Sequence, residues 1–173
     1  LYLQNNANEG NAKTIDLSNS RVISFATHGL ISGEIKGLTE PALVLSPPNE
    51  VSELNDGLLK SSEIALLDLN TDLVVLSACN TASSDGSPGA EGLSGLAKSF
   101  FIAGAKGILV SHWPVFSEST KDTMIKLFEE AKNDHTSYSS SLQKAKKSMI
   151  EENQFDLFAH PTFWAPFVMI GIN

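Results

Sequence analysis

The stretch DLVVLSACNTASSDG, Asp72 to Gly86, decides how this chain is read. Leu73 to Ser77 is a continuous apolar run, the pattern of a strand covered on both faces in a parallel sheet. It delivers Cys79, the only cysteine of the chain, into a polar, glycine-bearing loop. Working outward, Arg21 to Ala26 (RVISFA) is a second buried strand, expected to stop in a turn at Thr27-His28-Gly29, and Ile108 to Ser111 is a third. Gly92 to Ala103 is predicted as a helix closed by Gly104, with Leu93, Leu96, Phe100 and Ala103 on one face. Ser117 is expected to cap a helix with Met124, Leu127, Phe128 and Ala131 at i, i+3, i+4 and i+7. A further helix runs from about Ser140 to Glu152 on Leu142, Ala145 and Met149. Phe163 to Ile172 is predicted as the last strand, with Pro166 implying an edge position or an irregular start.

Ala42 to Leu45, bounded by Pro41 and Pro47-Pro48, is a peripheral strand, hairpinned to Leu58-Leu59-Lys60 after the Asp56-Gly57 turn. Ser61 is placed to cap a helix from Ser62 to about Leu67. Leu1 to Ser20 is polar and asparagine-rich, with a short helix around Glu9 to Thr14. Strands alternating with helices define an α/β layered domain with a mainly parallel sheet.

At 173 residues, 42% of them hydrophobic, the chain is long and apolar enough for one domain with a sizeable core. A formal net charge of -8 disfavours nucleic acid and supplies no polybasic patch for a membrane. Lys98 and Lys106 interrupt the longest apolar candidate, Leu93 to Val110, short of the roughly 20 residues of a membrane span. One cysteine makes no internal disulfide, and no Cys/His spacing suits zinc, so a reducing, cytoplasmic setting is expected. The chain opens at Leu1 with neither methionine nor a signal pattern, which reads as a piece of a longer polypeptide.

Sites in open α/β sheets form at the carboxyl ends of the strands, and both His28 and Cys79 follow strand ends. A thiol becomes a strong nucleophile when an imidazole takes its proton or pairs with its thiolate. The two residues stand 51 positions apart, close to the roughly 50 between the histidine and cysteine of caspases. Gly29 can turn its backbone N–H toward a reacting carbonyl. With the Cys79 N–H it forms a candidate oxyanion pair, in which each donor contributes about 3 kcal/mol. Plain packing stands against this, since a lone cysteine at the end of a buried strand is more often a small hydrophobe and a lone His-Gly is usually a turn. Their joint occurrence on two consecutive buried strands favours chemistry.

The segments ISFATHGL (Ile23 to Leu30), DLVVLSACNT (Asp72 to Thr81), EGLSGLAKSFFIAGAKGILVSHWPV (Glu91 to Val115) and HPTFWAPFVMIG (His160 to Gly171) closely resemble the CHAT domain. This is a caspase-like module related to the caspase and separase cysteine peptidases and commonly found behind tetratricopeptide repeats. The resemblance runs from Ile15 to the C-terminus, residues 15–173, and leaves 1–14 as the remnant of an upstream element or a linker. It implies a caspase-like three-layer α/β/α sandwich that lacks the family's N-terminal strand and helix. It also implies His28 as base or imidazolium partner, Cys79 as nucleophile and Gly29 as oxyanion donor. An uncovered sheet edge would follow from the missing strand.

Several positions depart from the family pattern. Ala82 stands where glycine is frequent. The loop after Trp-Pro-Val reads Phe116-Ser117-Glu118 where consecutive acids are common. Acids in the specificity pockets of related peptidases select arginine or lysine, so Glu118 raises a preference for basic residues; the alternative is that it favours the first turn of its helix. Trp113 is expected beside a substrate groove, the alternative being simple packing. His112, where the family has a hydrophobic residue, either tunes the thiolate or is a hydrogen-bonded core histidine, the second being favoured. His135 and His160 are assigned no chemistry. Asp85, Glu91 and the loop Ser83 to Gly89 read as a lid or processing segment, or as an ordinary solvated loop.

The expected function is therefore a cysteine endopeptidase acting on a protein or peptide through a His28–Cys79 dyad. It needs no metal or organic cofactor and is gated by tetratricopeptide repeats in the same or a partner chain. The alternatives are a latent or inactive caspase-like interaction module and a thiol hydrolase or transferase for a small acyl substrate.

Overall fold

The apolar runs become the middle of a four-stranded sheet. The structure, a computed structural model, describes residues 1–48, 50–52, 55–77, 95–132, 137–152 and 157–171. Strand β1 (Val22–Phe25) pairs parallel with β5 (Leu73–Leu76), β5 pairs parallel with β6 (Gly107–Ser111), and β7 (Phe167–Gly171) closes the order β1-β5-β6-β7 antiparallel to β6. Every residue of β5 and β6 is buried, as strands covered on both faces require.

Alternation along these strands sorts their side chains into two cores. Ile23, Val74, Leu76, Ile108 and Val110 face Leu96, Ala97 and Phe100 of α3 (Gly95–Ile102). Leu73, Val75, Leu109 and Phe167 face Leu127 of α4 (Ser117–Ala131) and Leu142 and Ala145 of α5 (Tyr138–Glu152). Each fully buried aliphatic side chain contributes about 1.5–3 kcal/mol. The result is a sheet between two helical layers, the α/β/α sandwich expected. In this sheet β1 is an edge strand among the described residues.

Helix α3 ends as predicted at Gly104, which has φ +107°. The Ala105 N–H donates to the Phe100 carbonyl (3.0 Å) and the Gly104 N–H to that of Phe101 (3.1 Å), the paired bonds of a Schellman motif. The last strand is shorter than expected. Phe163 and Trp164 belong to helix α6 (Pro161–Trp164) because Pro161 is preset for a first helical turn and His160 caps it, its Nδ1 accepting from the Thr162 N–H (3.3 Å). Pro166, which has no N–H for a ladder, stands just outside β7, and β7 takes the edge position.

A second, antiparallel sheet, β2 (His28–Leu30), β3 (Ala42–Val44) and β4 (Leu58–Lys60), packs Leu43 and Leu59 into the α3-side core. The β3–β4 hairpin is the one expected, but the Ser61 cap is not. Helix α2 (Ser61–Ile64) takes Lys60 as its N-cap, because the Glu63 carboxylate accepts the Lys60 N–H (2.9 Å), while Ser61 turns its hydroxyl to Glu40.

Helix α1 (Glu9–Thr14) forms where expected, capped by Asn8. Its Glu9 is fully buried. One carboxylate oxygen accepts the Asp56 and Gly57 N–H groups (2.8 Å each), and the other meets the Lys13 ammonium, which also bonds Glu63 (2.6 Å). This carboxylate ties α1 to the turn that opens β4. Among the described residues no helix is long and apolar enough to cross a membrane.

Candidate active site

Because β1, β5 and β6 are parallel, their carboxyl ends share one edge of the sheet. At that edge Phe25 is in register with Leu76, and the Ser77 N–H donates to the Phe25 carbonyl (3.2 Å). His28 lies three residues beyond Phe25. Cys79 itself is outside the described residues, as are Ala82, Asp85, Glu91, the loop Ser83 to Gly89, Leu93 and His135.

The expected Thr27-His28-Gly29 turn is replaced by a strand. The chain leaves the main sheet through Ala26-Thr27, the Thr27 hydroxyl donates to the Val44 carbonyl, and His28 and Gly29 pair with Val44 and Leu43 in the second sheet. Pairing in an antiparallel ladder needs ordinary extended backbone, and Gly29 is accordingly not among the glycines with positive φ. His28 is exposed and Gly29 half-buried at this position. Among the described residues β2 is an edge strand of its sheet.

After β6, His112 is exposed, which corrects the reading of a core histidine: Ser111 is the last buried position before the chain leaves the strand. Its N–H donates to the Pro166 carbonyl (3.0 Å), joining this loop to the start of β7. Trp113 is 37% exposed, and its Nε1–H donates to the Thr162 carbonyl (3.1 Å). Glu118 is exposed in the first turn of α4, where a carboxylate complements the helix dipole. The N-cap of that helix is Phe116 and not Ser117. The Phe116 ring packs on Phe163 with centroids 4.9 Å apart and thereby fixes where the helix begins.

Sequence reasoning missed this aromatic contact. Phe163 meets Phe116 on one side and Phe158 on another (5.3 Å). The density of Phe158, Phe163, Trp164 and Phe167 within ten residues was a signal for it, hidden by reading Phe163 as strand.

The opposite edge of the sheet is tied shut. Arg21, Asp72 and Lys106 stand at the amino ends of β1, β5 and β6, and Asp72 bonds both cations (3.4 Å to Arg21, 2.9 Å to Lys106). The Lys106 ammonium, helped by Arg21, holds the Asp72 carboxyl below its usual range. These exposed pairs contribute modestly to stability, but they set the two edges apart: ion pairs bind the amino ends, while His28 and His112 follow the carboxyl ends of β1 and β6 in the chain.

Helices on both faces of a mainly parallel sheet, with the candidate residues after adjacent strand ends, define a caspase-like α/β domain. The family model of the CHAT domain matches residues 1–172, and the chain belongs to that family. Over 118 residues, 68% of the chain, it is 34% identical to tetratricopeptide repeat protein 28 of Mus musculus and 32% identical to tetratricopeptide repeat protein 28 of Homo sapiens. The matched region is 5% of the mouse protein's length and 4% of the human protein's.

Proposed function

We propose that this chain is a cysteine endopeptidase domain in which Cys79 is the nucleophile and His28 its base. The Cys79 sulfur attacks the scissile carbonyl carbon while His28 takes the thiol proton. The N–H groups of Gly29 and Cys79 receive the developing oxyanion. Collapse of the tetrahedral adduct breaks the C–N bond, and His28 hands its proton to the departing amine. Water, deprotonated by His28, then splits the thioester, releasing the carboxylate product and regenerating the thiol.

One observation carries this reading. Phe25 and Leu76 are register partners on adjacent parallel strands, and His28 and Cys79 each follow their partner by three residues in the sequence. Two segments that leave neighbouring strand ends can bring an imidazole and a thiol together without either strand moving. Glu118 and Trp113, which follow the next strand, β6, in the chain, are the residues proposed to meet an extended substrate. A lone thiol used as a nucleophile suits a reducing compartment such as the cytoplasm. The names of the two mammalian relatives support gating by tetratricopeptide repeats in the same or a partner chain.

The test is cleavage of a peptide panel by the wild-type chain and by Cys79→Ala and His28→Ala, with circular dichroism to confirm folding. Each variant is expected to lose on the order of 1,000-fold or more in kcat/KM. Alkylation of Cys79 followed against pH is expected to show an apparent pKa below the roughly 8.5 of a free thiol. Turnover retained in a clean Cys79→Ala preparation overturns the proposal. A folded wild type with no turnover and an ordinary thiol leaves the interaction module as the function.

A further inference from the structure

The base stands on a strand that the core barely holds. Leu43 and Leu59 seat β3 and β4 among buried side chains, but β2 has no buried residue: His28 is exposed, and Gly29 and Leu30 are half-buried. A strand of three residues with no buried side chain is of the kind that frays first. An exposed imidazole has little packing around it, so where it stands follows from the backbone that carries it.

That backbone is joined to the main sheet by Ala26 and Thr27 alone, the two residues between β1 and β2. On the near side Phe25 is fixed: its carbonyl accepts the Ser77 N–H (3.2 Å), and its ring packs on Phe100 with centroids 5.5 Å apart. With planar peptide bonds, the two linking residues have four soft dihedral angles. Ala26 is exposed and has no hydrogen-bonding side chain. Thr27 is half-buried, and its hydroxyl donates to the Val44 carbonyl.

The acceptor is a fixed point. Val44 pairs with Leu58 of β4 on one side and with His28 on the other. The next residue, Leu45, donates its N–H to the Gly57 carbonyl (2.8 Å), and the Gly57 N–H is in turn held by Glu9. The Thr27 bond therefore ties the residue before the base to the residue opposite the base. A β-branched side chain, stiff at χ1, makes this a short and rigid tie.

We propose that Thr27 is the positioning residue of the peptidase: its hydroxyl pins the start of β2 to Val44 and so fixes His28 relative to the chain that leaves β5 through Ser77 toward Cys79. This rests on the peptidase reading above and deepens it. Thr27 touches no reacting atom, and its effect passes through His28.

Thr27→Val keeps the branched shape and strand preference and removes the donor, whereas Thr27→Ser keeps the donor. With a peptide that the wild-type chain cleaves, Thr27→Val is expected to lower kcat about 10- to 100-fold, the scale of misplacing a reacting group by about 1 Å, with KM within about twofold. Thr27→Ser is expected to stay within about threefold of wild type in kcat. Alkylation of Cys79 followed against pH supplies a readout that altered stability alone does not move. Its apparent pKa is expected to rise toward the roughly 8.5 of a free thiol in Thr27→Val and to hold in Thr27→Ser. Ser24→Ala, on an exposed position of β1, is the control expected to change neither quantity, and circular dichroism reports the folded fraction of each chain. A folded Thr27→Val with wild-type kcat and thiol profile overturns the proposal while leaving the peptidase intact. So does a folded Thr27→Ser as slow as wild type is fast, with the slowing expected of valine. Absence of Cys79-dependent cleavage in the wild-type chain overturns the peptidase reading and the positioning role with it.

Discussion

Replacing Glu9 with alanine probes how the second sheet, and with it His28, is held to the rest of the domain. The Glu9 carboxylate is fully buried and accepts the N–H groups of Asp56 and Gly57, both at 2.8 Å. These two residues form the turn into β4. Through the pairs β4–β3 and β3–β2 the clamp reaches His28. In Glu9→Ala both N–H groups lose their acceptor, and a buried donor left unsatisfied costs about 1–3 kcal/mol. Lys13 adds little to the loss because Glu63 remains its partner at 2.6 Å. The expected cost is about 3–5 kcal/mol, within the range for breaking a buried charged pair. In a domain of this size that lowers Tm by about 10 °C. Glu9→Gln retains a carbonyl oxygen for the two N–H groups but turns its NH2 toward Lys13, losing the charge and the acceptor there while Glu63 still holds the ammonium, so its cost is about 1–2 kcal/mol. Urea unfolding followed by circular dichroism measures both, with the exposed Glu50→Ala as a control expected to stay within about 0.5 kcal/mol. A Glu9→Ala variant destabilised by less than about 1 kcal/mol, or a Glu9→Gln variant as unstable as alanine, would refute the reasoning.

Gly104 has φ +107°, and a Cβ there would lie 1.9 Å from the Leu69 carbonyl oxygen. Gly104→Ala is therefore expected to cost about 3 kcal/mol or more, and a melt indistinguishable from wild type would show that the close approach does not constrain this turn. The acid side of the stability profile is predicted from Asp56. Burial pushes its carboxyl up, but the Lys60 ammonium (2.6 Å) and the Leu58 N–H (2.9 Å) outweigh burial and hold it below the ordinary value of 3.8. A carboxyl depressed in the folded state stabilises above its unfolded pKa, and that contribution is lost as pH falls through the folded value. The urea midpoint is expected to fall below about pH 4, and to fall less steeply in Asp56→Asn, which has no carboxyl to protonate there. Equal acid limbs for the two proteins would remove Asp56 from the account.

Much of the fold was legible along the chain because the responsible forces are local. Leu73 to Ser77 and Ile108 to Ser111 read as doubly covered strands because every position is apolar or small, and Leu73–Leu76 and Ile108 to Ser111 are buried throughout. Gly104 announced the end of α3 because its backbone conformation strongly favours glycine. The site was less legible where local signals competed with distant partners. His28-Gly29 has the composition of a turn, yet the chain there runs as a strand because Leu43 and Val44 supply a ladder. Glu9 has the look of a surface helix residue paired with Lys13 at i+4, and only the turn at Asp56-Gly57, far along the chain, explains its burial.

By itself the sequence determined most of the strands and helices, which of their faces are apolar, and that one thiol and one His-Gly follow strand ends, but not that His28-Gly29 is a strand or Phe163-Trp164 a helix. Only the tertiary structure decided that β1 and β5 are neighbours, that β6 separates β5 from β7, and that Phe116 and Phe163 meet at the carboxyl edge. The reason is physical. Periodicity and capping act over a few residues and leave a pattern in the sequence. The pairing of Val22 with Leu73 is made by backbone N–H and C=O groups, which are the same in nearly every residue and so carry no mark of their partner.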